Sequence, residues 1–148
     1  MSAVAVLLLG CAGPVEVTAP PVVAEDATAC AALLAALPDS VGDLDSRDVS
    51  PAQAHRAAAW GDPAVVLVCG GRMPAEFDGF TRCEETGGVG WFIAEESYRP
   101  GADVRMTTIG WSPVVEVTIP AEHLPPALFM VELAPAITDT LTLEQPCR

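Results

Sequence analysis

Cys30, Leu33, Leu34 and Leu37 recur at i, i+3, i+4 and i+7, the spacing of one face of an α-helix. Asp26 or Thr28 suits its start, and Pro38 closes it because proline cannot donate the next backbone bond. A polar, turn-rich stretch follows from Asp39 to Pro63, with a short helical piece expected at Gln53–Ala59. Five β-rich segments then alternate with Gly, Pro and acidic turns: AVVLVC (64–69), VGWFIAE (89–95), DVRMTTIG (103–110), VVEVTIP (114–120) and ALFMVEL (127–133). Val115, Val117 and Ile119 alternate with Glu116 and Thr118, as a strand with one buried face requires. The first segment is apolar throughout and belongs at the centre of the sheet. A last helix is predicted over Pro135–Leu141, where proline fits the first turn. The order helix, five strands, helix predicts an α+β domain: a mainly antiparallel sheet of about five strands, with both helices packed on one face and stapled by disulfides.

Ahead of this domain the pattern changes. Ala3–Leu9 is an apolar run that leads into Leu8-Leu9-Gly10-Cys11, which resembles the bacterial lipobox. That resemblance implies diacylglycerol on Cys11, cleavage after Gly10, and residues 1–10 as a signal peptide. The run is too short for a membrane-spanning helix, which needs about 20 apolar residues. Signal peptides carry a basic start and span roughly 15–30 residues; the uncharged segment here points to a start codon further upstream. Residues 11–25, with Pro14, Pro20 and Pro21, read as the lipid anchor and an extended tether. The single domain is expected over 26–148.

Setting Cys11 aside leaves Cys30, Cys69, Cys83 and Cys147. An even set in an exported chain implies disulfides, with three possible connectivities. Loop arithmetic favours Cys69–Cys83, which closes a short loop worth roughly 3 kcal/mol, and Cys30–Cys147, which ties the ends of the domain together. The spacings are too wide for a zinc site, so no metal and no cofactor is expected.

Charge narrows the partners. Twenty acidic residues against seven arginines give a formal net charge of −13. Nucleic-acid binding depends on cationic side chains displacing counterions, so no nucleic-acid partner is expected. The absence of lysine and asparagine fits a GC-rich coding sequence rather than a function.

Candidate ligand-binding residues are Trp60, Arg72, Trp91 and Trp111, read as the lining of one cleft. Trp60-Gly61-Asp62-Pro63 also reads as a plain turn, and Arg72 follows two glycines whose N–H groups could gather an anion. Catalytic readings are weak, and none is adopted. Gly110–Val114 (GWSPV) lacks the second glycine of a nucleophile elbow. Asp43–Asp48 (DLDSRD) puts Arg47 where a calcium loop needs oxygen. His55 and His123 stand alone.

Several segments, in order, resemble the actinobacterial domain of unknown function 3515: LPDSV, AAAWGDPAVVLVCGGRMP, Cys83, GVGWFI, TTIGWSPVVEVTIP and the closing helix with its late cysteine. The resemblance covers about Cys30 to Cys147 and implies an exported, lipoprotein-like or membrane-anchored protein with paired cysteines. It implies no activity. That family commonly carries arginine where this chain has Val68 and Trp111, so an anion site built on those arginines is not expected. The expected protein is a lipid-anchored accessory or binding module on the outer face of the plasma membrane, with an envelope protein or cell-wall partner. A small-molecule binder using the Trp/Arg cleft is the alternative, and an envelope hydrolase the less favoured one.

Overall fold

The computed structural model describes residues 13–19, 21 and 23–147. Cys11 and the expected signal peptide lie outside them. Helix α1 (Ala27–Ala36) has Asp26 at its N-cap and stops at Leu37, since the residue before Pro38 is driven to extended geometry. The chain then builds β1 (Ser40–Val41), β2 (Leu44–Arg47), β3 (Ala57–Trp60), β4 (Val65–Cys69), β5 (Glu84–Thr86), β6 (Val89–Ile93), β7 (Val104–Ile109), β8 (Trp111–Ser112) and β9 (Val115–Ile119), followed by α2 (Ala127–Thr140) and β10 (Thr142–Leu143).

The expectation of about five strands is corrected. Eight strands form one antiparallel sheet in the order β1-β2-β3-β4-β9-β7-β6-β5, and β8 pairs with β10 in a separate ribbon. Four of the predicted segments are strands β4, β6, β7 and β9. The fifth, 127–133, is the first half of α2. Its buried residues Phe129, Met130, Leu133, Ala134 and Ile137 fall on one face at helical spacing. Pro135 sits inside the helix rather than at its start. Its missing N–H leaves the Val131 carbonyl without its helical donor, and both residues are exposed. The piece expected as helix at 53–59 ends in β3, whose alanines are held between β2 and β4 by the register Ala59↔Arg47 and Ala59↔Val66. Tertiary pairing overrides alanine's helical preference there.

Two hairpins that the polar reading missed turn on two-residue loops with positive φ. Gly42 and Asp43 (φ 58° and 62°) join β1 to β2, and Gly87 and Gly88 (φ 62° and 83°) join β5 to β6, the geometry that matches the twist of paired strands.

One sheet face carries the row Ala58, Leu67, Val117, Met106, Ile93, and both helices cover it. Cys30, Leu33, Phe129, Leu133 and Ile137 join Leu67, Val117 and Met106 in a single core. The other face carries the row Ala57, Val68, Glu116, Thr107, Phe92. There a small separate cluster of Phe92, Ala94 and Ile109 is sealed by Met73, Phe77 and Cys83.

The expected tether is partly docked. Val15 forms a parallel bridge with Val49: its N–H donates to the Asp48 carbonyl (2.8 Å), and its carbonyl accepts from the Ser50 N–H (3.0 Å). Arg47 Nη2 donates to the Gly13 carbonyl at 3.0 Å.

Candidate functional site

The four expected cysteines do pair, but as Cys30–Cys69 and Cys83–Cys147, with Cα separations of 5.6 and 6.0 Å. Loop arithmetic had favoured the other partners. It counts only unfolded-chain entropy, whereas Cys69 ends β4 beneath α1, facing Cys30, with both residues fully buried. Cys83 instead meets Cys147 beside Gly90, where an added Cβ would stand 2.7 Å from the Cys147 Sγ.

The candidate aromatic and arginine residues do not share a cleft. Trp60 is 1 % exposed and its Nε1 donates to the Pro38 carbonyl at 3.1 Å; it lines a cavity of about 260 Å³ between α1 and β3. Trp91 is fully buried in the core. Trp111 lines a different cavity, of about 730 Å³. Arg72 is exposed and lines neither. The anion nest proposed beside Arg72 is also excluded, because the Gly70 and Gly71 N–H groups both donate to the Val114 carbonyl, at 2.9 and 3.2 Å. Trp60-Gly61-Asp62-Pro63 is the turn between β3 and β4. Arg47 holds it, donating from Nη1 to the Gly61 carbonyl at 3.1 Å and lying 3.7 Å from Asp62 Oδ1.

Neither histidine is bonded to a Ser, Thr or Cys among the described residues. His55 is exposed. His123 Nε2 lies 2.7 Å from the Pro63 carbonyl; because a carbonyl only accepts, Nε2 carries the proton. Among the described residues no cluster of three or more His, Cys, Asp or Glu could hold a metal.

The larger cavity is built from parts that read as loop in the sequence. After Cys69 the chain turns through Gly70 and Gly71 onto the less covered sheet face. Phe77 packs edge-on against Phe92 with ring centroids 5.8 Å apart. A tight turn follows at Asp78, whose Oδ1 accepts from the Phe80 N–H (2.9 Å) and the Thr81 hydroxyl (2.8 Å). Those two bonds, the hydroxyl's first, hold the Asp78 carboxyl below its ordinary range. The opposite wall is the tail after α2. Leu143 pairs with Trp111, the Glu144 and Gln145 N–H groups donate to the Gly110 carbonyl at 2.8 and 3.2 Å, and Cys147 is bonded to Cys83. Gly110 has φ 74°, and a Cβ there would strike the Gln145 carbonyl. Ile109, Trp111 and Val114 form the floor. Of these residues only Trp111 was singled out from sequence as a cleft-lining candidate. Cys83 and Cys147 were read as disulfide partners, Gly70 and Gly71 as a nest beside Arg72, and Gly110–Val114 as a rejected nucleophile elbow. Asp78-Gly79 was readable as a turn, but nothing in LTLEQPC announced a wall.

Elsewhere, Arg56 is 2 % exposed. Its Nη2 donates to the Gly70 carbonyl at 3.3 Å, and burial pushes its pKa down. That contact ties the start of β3 to the end of β4.

These features define a disulfide-stapled domain: one broad antiparallel sheet, helices on one face, and a loop-and-tail cavity beside the other. Residues 2–146 match the family described as protein of unknown function (DUF3515), and the chain belongs to that family. No curated protein and no solved structure matches it.

Proposed function

We propose that this chain is an exported protein, held on the outer face of the plasma membrane by diacylglycerol on Cys11, and that it works as an accessory or binding module. The observation that carries the reading is the sulfur inventory. Cys30, Cys69, Cys83 and Cys147 are consumed in two disulfides, the state favoured in oxidising compartments. Cys11 is left as the odd cysteine, directly after Leu8-Leu9-Gly10. The family resemblance implies an exported lipoprotein or a membrane-anchored protein, which is compatible with this reading. In this reading retention at the membrane rests on the acyl chains at Cys11; among the described residues no helix is long and apolar enough to cross a membrane. Two chains anchor stably where one does so marginally. The partner is an envelope protein or a cell-wall component.

Intact mass spectrometry of the membrane-extracted protein tests this, with and without reduction and alkylation. The expected chain begins at Cys11, carries a lipid-sized increment, and takes four alkyl groups only after reduction. A chain that retains residues 1–10 and has five alkylatable thiols would overturn both the anchor and the location.

A further inference from the structure

We propose that the cavity between the 73–83 loop and the C-terminal tail binds a peptide segment that carries a cationic side chain beside an apolar one. The volume, about 730 Å³, lies within the range of about 300–1,000 Å³ typical of ligand pockets. Its floor is apolar, supplied by Ile109, Trp111 and Val114, with Phe77 on the loop side, while Asp78 on the loop and Glu144 on the tail line opposite walls. No arginine is among its lining residues. The Asp78 carboxylate is held in its turn by the Phe80 N–H and the Thr81 hydroxyl, both on Oδ1, and the residue is exposed. An anion would meet two carboxylates and no cation; an Arg or Lys would find charge at both rims and apolar surface for its stem and neighbour.

The site exists only while the tail is in place. Glu144 and Gln145 are exposed and hang on two bonds to Gly110 and one disulfide. The Cys83–Cys147 bond therefore acts as the clamp of the binding wall. This inference does not rest on the anchor at Cys11, and it holds or fails separately.

The test is an NMR titration of the full chain, in its oxidised state, with acetyl-Phe-Arg-amide, and in parallel with acetyl-Phe-Glu-amide. The expected result is saturable shifts at Phe77, Gly110, the Trp111 indole N–H, Glu144 and Gln145 with the Arg peptide alone. Glu144→Gln should weaken binding about threefold, the scale of an exposed ion pair. Cys83→Ser with Cys147→Ser should abolish saturation while the core resonances of β4 and β9 stay in place. Equal response to both peptides, shifts centred elsewhere, or no saturable shifts would overturn the site. Undiminished binding by the double serine variant would overturn the clamp.

Discussion

The two disulfides divide the molecule into regions held by different means. Cys30–Cys69 lies at 0 % exposure between α1 and the central strand β4, inside the packed core. Cys83–Cys147 is half-buried and joins a loop to a tail whose residues 142–146 are all exposed. There the covalent bond substitutes for burial. Chain-entropy reasoning ranks the second slightly higher, since its sequence separation is 64 against 39 and longer loops gain more. Burial reverses that order, because losing the outer bond frees a segment by local opening rather than by unfolding the domain.

The sharpest way to break this comparison is to remove each bond in turn. Cys30→Ala with Cys69→Ala should cost about 2–5 kcal/mol, read as a lower urea midpoint. Leu133→Ala, in the same core with no exposure, should cost about 3 kcal/mol by thermal unfolding. On the outer side, Gly110→Ala places a side chain at φ 74°, a conformation costing roughly 1–2 kcal/mol, and pushes the tail off. Fast exchange of the Glu144 and Gln145 amides should report it. Cys83→Ser with Cys147→Ser should cost the domain only about 1 kcal/mol, low in the disulfide range, while the tail becomes sensitive to protease. A loss as large as that of the inner pair would erase the distinction drawn here.

The smallest effect concerns Asp78. Its folded pKa is depressed, so its contribution is present above the unfolded value of about 3.9 and is lost as pH falls through the lower, folded value. The Phe80 and Thr81 amide shifts should therefore titrate with a midpoint below 3.9, and the global melt should barely move, because the group is fully exposed.

Much of the inner region was legible in the sequence. The leucine stripe gave α1, and apolar runs or period-two alternation gave β4, β6, β7 and β9, because burial imposes those periods. What failed was local identity set by partners. Ala57–Trp60 is a strand only because β2 and β4 flank it. The run at 127–133 is uniformly apolar and carries no decisive period over so short a window. Glu84–Thr86 has two exposed residues and a half-buried threonine and left no hydrophobic trace. The outer region was nearly silent, because a loop and a tail placed by one disulfide, the two-residue β8–β10 pairing and two backbone bonds leave no repeating pattern. Cysteine content was readable but connectivity was not, since spacing says nothing about which sheet face a sulfur reaches.

The docking of Val15 against Val49 has a consequence for reach. Covalent geometry allows at most about 7 Å between the Cα atoms of Gly13 and Cys11. With a lipid at Cys11, the domain would ride directly on the bilayer by its β2–β3 end rather than stand off on a leash. Its working volume would then be a shallow shell, only about as deep as a domain of this size is wide, roughly 30 Å. Partners would have to be membrane-embedded neighbours or structures that descend to the lipid surface, and encounter would become a search in two dimensions.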